Sequence, residues 1–162
     1  SGVYAQAGPT LSLEPETPVV EVGETFIVSV RVGDAGETTA WQVGLAYDPT
    51  VISPTGTHSF GSFLGLNDPQ TLQQVDGDRA VFGVYQLCHM GDCESRSGSG
   101  ELVEIEFEAL RIGSTSLSFV ESVLVAPDSG EQAITTQDGT VQVSSGMPMD
   151  NFIYLPDLRC TD

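Results

Sequence analysis

The chain has 162 residues, of which 40% are hydrophobic, and its 23 acidic and 5 basic residues give a formal net charge of −18. A chain of this length buries enough apolar surface to fold as one domain. The acidic excess excludes nucleic acid as a partner, because such binding begins with attraction between Lys or Arg and phosphate. No membrane insertion is expected, since apolar runs fall far short of the ~20 residues of a spanning helix. The acidity fits either solubility outside the cell or selection of a particular partner.

Apolar and polar residues alternate along most of the chain, as they do in β-strands. Three glutamates alternate with Val, Ile and Phe in 103–108, and a strand places those carboxylates on one face. Turn residues separate such segments, with Asp76-Gly77-Asp78 predicting a hairpin and 52–67 reading as a long surface loop. The predicted strands are Thr10–Leu13, Thr25–Val32, Ala40–Tyr47, Gln70–Val75, Arg79–Leu87, Glu101–Leu110, Ser114–Phe119, Gln132–Thr136 and Thr140–Val143.

Many short strands with dense turns and no helical connections predict an all-β fold, a single antiparallel β-sandwich of about nine strands and of jelly-roll type. We expect residues 1–8 to form an N-terminal extension that begins with Ser1-Gly2, which has the appearance of a scar from tag removal. Residues 9–145 are expected to form the sandwich. Residues 146–162 read as a tail whose apolar 152–155 segment docks partly on the sandwich or on a neighbouring chain.

Catalytic chemistry has little support in the sequence. Only His58 and His89 could supply an imidazole base, and no nucleophile elbow, phosphate-binding loop or zinc-binding helix motif accompanies them. Glu104 and Glu106 lie on one solvent-facing side of a predicted strand, where no apolar pocket would adapt either carboxyl to acid–base catalysis. We therefore expect a protein that is not an enzyme and has no cofactor.

Three cysteines and several acidic turns leave alternatives open. Cys88 and Cys93 are close enough in sequence to form a disulfide, and reduced thiols or a metal site are the other possibilities. Cys160 is either a free thiol or a route to intermolecular pairing. Asp128, Glu131 and Asp138 are either calcium ligands or solvated turn residues, and we expect no bound metal.

Aromatic residues are too few for a sugar-binding platform. Trp41 and Tyr47 share the apolar side of one predicted strand and are expected in the core, whereas Tyr85 is expected at the surface. A carbohydrate-binding module and a passive spacer of a bacterial surface protein remain the alternatives to a protein-binding module.

Several segments, in this order and spacing, resemble a cohesin, the scaffold module that pairs with dockerins in cellulosomes. They are Val-Val-Glu-Val-Gly-Glu-Thr-Phe-Ile-Val-Ser-Val at 19–30, Ala-Trp-Gln-Val-Gly-Leu-Ala-Tyr-Asp-Pro at 40–49, Glu-Leu-Val-Glu-Ile-Glu-Phe at 101–107 and Asp-Gly-Thr-Val-Gln-Val at 138–143. The resemblance covers about residues 9–145. It implies a non-catalytic module, extracellular or on a bacterial cell surface, that binds a calcium-loaded dockerin and is linked only indirectly to polysaccharide.

The resemblance also implies where the partner docks, because dockerins bind cohesins on a flat sheet face made by the third, fifth, sixth and eighth strands. Small residues would keep that face flat, an exposed apolar patch would anchor the partner, and carboxylates would meet its Lys or Arg. The alternative is a solvated face whose charges discourage aggregation. The predicted face comprises Gln42, Gly44, Ala46, Val81, Gly83, Tyr85, Glu104, Glu106, Glu108, Ile134 and Thr136.

Overall fold

The computed structural model describes residues 8–64, 69–86, 94–128 and 130–145, and within them the regular elements are all β-strands. The described chain therefore has no helix long and apolar enough to cross a membrane. The strands are β1 Thr10–Glu14, β2 Val19–Glu21, β3 Thr25–Thr38, β4 Ala40–Ala46, β5 Ile52–Phe60, β6 Pro69–Asp76, β7 Arg79–Gln86, β8 Arg96–Ala109, β9 Gly113–Val125, β10 Thr135–Thr136 and β11 Gly139–Ser144.

The strands form two sheets. The five-stranded sheet has the order β10-β1-β3-β8-β5, and the six-stranded sheet has the order β2-β11-β9-β4-β7-β6. Neighbours are antiparallel except in two short pairs, β1 with β10 and β2 with β11, which bring the first and last segments of the chain together in each sheet. The predicted all-β sandwich is confirmed.

One hydrophobic core fills the space between the sheets, because alternate residues of each strand point inward. Val28, Val30 and Ile105 line it from the five-stranded sheet, and Leu45 and Phe82 line it from the six-stranded sheet. Trp41 and Tyr47 are also buried, as their shared apolar side predicted.

The β6–β7 hairpin forms where the turn residues predicted it. Asp76 pairs with Arg79, which leaves Gly77 and Asp78 as a two-residue turn. Gly77 has a φ of 63°, the left-handed value that a type II′ hairpin requires at its first turn position and that glycine adopts without strain.

The prediction of a loop at 52–67 is wrong in its first half, which forms β5. This edge strand pairs with β8, and its register shifts between Pro54 and His58, so an apolar–polar alternation is not visible in its sequence. The short strand β2 was also not predicted. In the opposite direction, the predicted strand Gln132–Thr136 shortens to the two residues of β10.

Three predictions fall on parts of the chain outside the described residues. They are the extension at the N-terminus, of which only residue 8 is described, the tail 146–162 with Cys160, and the pairing of Cys88 with Cys93 beside His89.

Candidate protein-binding face

The structure brings together six of the eleven predicted face residues. They lie on the outer side of the neighbouring strands β4 and β7, where Gln42 is paired with Gly83 and Gly44 with Val81. Paired residues of antiparallel strands point to the same side of the sheet. The six are Gln42, Gly44, Ala46, Val81, Gly83 and Tyr85.

The placement of the three glutamates on that face is wrong. Glu104, Glu106 and Glu108 belong to β8, which lies between β3 and β5 in the other sheet. The cause is the unpredicted strand β5: without it, β8 is counted as the sixth strand of the sandwich and not the seventh.

The two C-terminal members of the predicted face are also misplaced. Thr136 lies in β10, which pairs with β1 at the edge of the five-stranded sheet. Ile134 precedes that strand and packs against the core. The strand that borders β4 is instead β9, whose Val120 and Val123 pair with Gly44 and Gln42.

The outer face of the four strands β9-β4-β7-β6, called the docking face from here on, contains residues that the sequence did not identify. Strand β6 adds a mostly uncharged edge, since its Leu72 and Gln74 pair with Gly83 and Val81. Because that edge carries so few hydrophobic residues, its alternation is faint in the sequence. The docking face comprises Gln42, Gly44, Ala46, Gln70, Leu72, Gln74, Asp76, Arg79, Val81, Gly83, Tyr85, Ser118, Val120, Glu121, Val123 and Val125.

An apolar depression occupies one end of the docking face. Leu72, Tyr85 and Val123 are among the residues that line it. Leu72 is 36% exposed and Tyr85 is 46% exposed, so both large hydrophobic side chains are accessible at the surface. Gly83 forms part of the lining, and a Cβ atom there would lie only 3.0 Å from the carbonyl oxygen of Trp41. The depression therefore combines exposed apolar walls with close backbone packing beneath them.

A bulge in β9 shapes the middle of the docking face. The register between β4 and β9 shifts between Gln42 and Gly44, and Glu121 adopts a φ of 50°, a left-handed conformation that is uncommon for a residue with a side chain. Gln42 Nε2 donates a hydrogen bond of 2.8 Å to the Glu121 carbonyl. Ser122 Oγ accepts from the Gly44 N–H at 3.3 Å and donates to the Val120 carbonyl at 3.0 Å.

Gly44 is required by this bulge. A Cβ atom at that position would lie 2.6 Å from the Val120 carbonyl oxygen and 3.3 Å from a methyl group of Val81. Real Cβ atoms do not approach a carbonyl oxygen so closely, so the bulged backbone fits against β4 only where β4 has a glycine.

A polar groove lies at the other end of the docking face, beside the β6–β7 turn. Its lining includes Gln74, Asp76, Arg79 and Glu121. Arg79 on β7 forms a hydrogen-bonded ion pair with Glu121 on β9, and the pair therefore reaches across the intervening strand β4. The hydrogen bond and the negative charge of Glu121 raise the pKa of Arg79, which keeps the guanidinium charged.

The outer face of the five-stranded sheet is chemically different. Glu104, Glu106 and Glu108 lie along β8 opposite Ser29, Ile27 and Thr25 of β3. Ser29 Oγ donates a hydrogen bond of 2.6 Å to Glu101, whose charge and contact raise the pKa of Glu104. This surface is called the acidic face from here on.

Metal binding has no support among the described residues, which contain no group of three or more His, Cys, Asp or Glu side chains able to hold an ion. Two of the three carboxylates weighed as calcium ligands accept backbone hydrogen bonds instead. Asp128 accepts from Gly130 at 2.9 Å and Asp138 from Phe119 at 3.0 Å.

Comparison with known proteins agrees with this architecture. The family model of the cohesin domain matches residues 11–143. No curated protein matches the sequence significantly. A non-cellulosomal cohesin from the archaeon Archaeoglobus fulgidus superposes with a TM-score of 0.70 at 19% identity, covering 90% of this chain and 98% of that one.

Two further structures are cohesins solved with their partners. The OlpC cohesin of Clostridium thermocellum, in complex with Doc435, has a TM-score of 0.73 at 13% identity and covers 88% of this chain and 97% of that one. The third ScaC cohesin of Acetivibrio cellulolyticus, in complex with the ScaB dockerin, has a TM-score of 0.70 at 11% identity and covers 85% and 99%. Likeness at such low identity establishes the fold, and the family model matches most of the chain. The chain belongs to the cohesin domain family.

Proposed function

We propose that this chain is a non-catalytic, extracellular module that binds a calcium-loaded dockerin-type partner through the docking face. The observation that carries the proposal is the apolar depression with Leu72 and Tyr85 on its walls, set among mostly uncharged residues of the sheet surface. Exposed large apolar side chains grouped in one patch are typical anchors of protein–protein interfaces. Family membership and the complexes of the OlpC and ScaC cohesins support a dockerin as the partner.

The order of the strands supports the docking face as the site. The first and last strands of the sandwich are each divided between the sheets, as β1 with β2 and β10 with β11. When β5 is counted, the third, fifth, sixth and eighth strands are β4, β6, β7 and β9. These four are neighbours in the order β9-β4-β7-β6, so the strands that the cohesin resemblance implies for dockerin binding form one continuous surface.

The surroundings of His58 support a role without catalysis. Its ring lies 5.3 Å from that of Phe60 and 5.2 Å from that of Phe82, and its Nδ1 is 3.2 Å from the Gly56 carbonyl oxygen. A general base needs its second nitrogen within reach of a nucleophile or a substrate. His58 therefore packs as an aromatic side chain between the edge strand β5 and the core residue Phe82 of the other sheet.

Carbohydrate binding is disfavoured by the burial of the aromatic residues. Trp41 and Tyr47 lie in the core, and Tyr85, 46% exposed, is the one aromatic side chain of the described residues that is neither buried nor half-buried. Sugar rings stack on several coplanar exposed aromatic rings, and a single tyrosine does not make such a platform.

The proposal is tested by placing charges in the depression. The double variant L72D/Y85D should weaken dockerin binding by roughly 1,000-fold, because each of the two anchors lost from an interface costs about 2 kcal/mol. The control is I27D, which adds one aspartate, half the charge of the double variant, at a 51% exposed apolar residue of the acidic face. Isothermal titration calorimetry against the dockerins of the same genome, with calcium and then with EDTA, provides the measurement.

The outcomes distinguish an error in the proposed binding face from an error in the proposed function. Wild-type protein and I27D should bind in calcium only, and L72D/Y85D should not bind. If I27D loses binding and L72D/Y85D keeps it, the docking face is wrong. If none of the dockerins binds the wild-type protein, the proposed function itself is wrong.

A further inference from the structure

Glu121 owes its position on the docking face to the bulge in β9. In a regular strand, successive side chains point to opposite sides of the sheet, so a residue next to the outward-facing Val120 would point into the core. The extra residue of the bulge re-aims the Glu121 side chain outward, where it meets Arg79. A carboxylate is thereby placed on the docking face, in the same groove as Asp76 and Arg79.

Negative charge exceeds positive charge around this position. Arg79 is the only cation among the described residues of the docking face, and its Nε lies 3.8 Å from Asp78 while Glu121 holds its Nη1. Asp76 lines the same groove, and it lies opposite Arg79 in the strand pairing of the β6–β7 hairpin. Three carboxylates therefore surround one guanidinium, and the groove keeps a net negative charge after Arg79 has been counted.

From this charge distribution, and resting on the proposed function, we infer that the docking face selects partners with a basic side chain about 14 Å from their apolar anchor, and that Glu121 determines this specificity. The spacing is that of Leu72 in the depression and Asp76 in the groove, four residues apart on β6 at about 3.4 Å per residue. A Lys or Arg of the partner would enter the groove beside Asp76 and Glu121. An acidic residue at the same place would be repelled.

Glu121 is the decisive carboxylate because it also controls Arg79. While the two are paired, Arg79 is not available to an acidic partner, so the groove offers only negative charge. Repulsion between like charges at an interface is a common means of rejecting wrong partners. Replacing Glu121 by Lys leaves two positive charges beside Asp76 and Asp78, which removes the preference for a basic side chain.

The experiment uses the tightest dockerin that binds the wild-type protein in calcium. E121K should weaken its binding at least about tenfold, mainly through slower association, and E121Q should give a smaller loss. The control is E106K, the same change of charge on the acidic face. Because Lys and Glu tolerate a left-handed φ equally poorly, and because Gln42 bonds to the backbone of residue 121, the bulge should persist; thermal unfolding verifies this.

A charge swap provides the second arm. Each Lys and Arg of that dockerin is changed to Glu in turn, and one such variant should bind E121K more tightly than it binds the wild-type protein. The inference is overturned if E121K weakens binding no more than E106K does, or if none of the swaps restores binding. If no dockerin binds the wild-type protein, the proposed function fails first, and the inference fails with it.

Discussion

The two outer faces of this sandwich follow the same rule of alternation and have opposite chemistry. On the acidic face, Ile27 lies directly opposite Glu106, and further glutamates follow at every second residue of β8. On the docking face, Leu72 lies opposite Gly83, and the neighbours of that pair are Gln, Val and Tyr. An exposed apolar residue therefore has carboxylate neighbours on the acidic face and mostly uncharged neighbours on the docking face.

The difference lies in what a partner must desolvate. A partner covering Ile27 would also bury or displace the hydration of Glu104 and Glu106, and burying a charge without a counter-charge is costly. A partner covering Leu72 and Tyr85 meets mostly uncharged neighbours, so the apolar contact is gained at little electrostatic cost. The neighbours of an apolar residue, more than its own exposure, distinguish a docking face from a solvated one.

Substitution of Gly44 should disrupt the docking face most strongly. The substitution G44A should lower the free energy of unfolding by about 1–3 kcal/mol, the usual cost of overpacking, because its Cβ would clash with the Val120 carbonyl. The β9 bulge should be displaced with it, so dockerin affinity should fall as well. Urea unfolding and calorimetry measure the two effects.

Gly33 supplies the matched control on the other sheet. A Cβ there would have no atom nearer than 3.9 Å, so G33A should leave the free energy of unfolding within about 0.5 kcal/mol of the wild-type value. Equal stabilities of G44A and G33A would mean that the close approach of β9 to β4 does not constrain the fold.

Much of the fold was predictable because a strand with one buried side has apolar residues at every second position. Strands β4 and β7 lie close to their predicted positions, and β3 begins at the predicted Thr25 but continues past the predicted Val32, through register shifts, to Thr38. The edge strand β5 has no such pattern, since Pro54 and the register shift before His58 interrupt it. An edge strand buries little on either side, so its sequence is weakly constrained.

The candidate site was predictable only where it is local. The residues on β4 and β7 were found because alternation alone groups every second residue of one strand on the same side. The grouping of strands into sheets depends on long-range pairing, and missing β5 alone moved three glutamates to the wrong face. Glu121 could not have been found by periodicity, because the bulge that turns it outward breaks the period.

On the acidic face, only a small effect on stability is expected, at Glu104. Repulsion by Glu101, and to a smaller extent the hydrogen bond between the two carboxyl groups, raises the pKa of Glu104 above its ordinary value. The folded state therefore binds the proton more tightly than the unfolded state does, and the charge on Glu104 opposes folding at neutral pH. The substitution E104Q should raise the melting temperature slightly at pH 7.

That gain should shrink as the pH falls through the raised pKa of Glu104, because the wild-type carboxyl then becomes neutral in the folded protein. E108Q removes one charge from the same strand at a residue four positions farther from Glu101, and its gain at pH 7 should be smaller. Melting curves of the three proteins between pH 3 and pH 7 make the comparison. A gain for E104Q that persists unchanged in acid would mean that it arises from packing or strand propensity and not from the charge of Glu101.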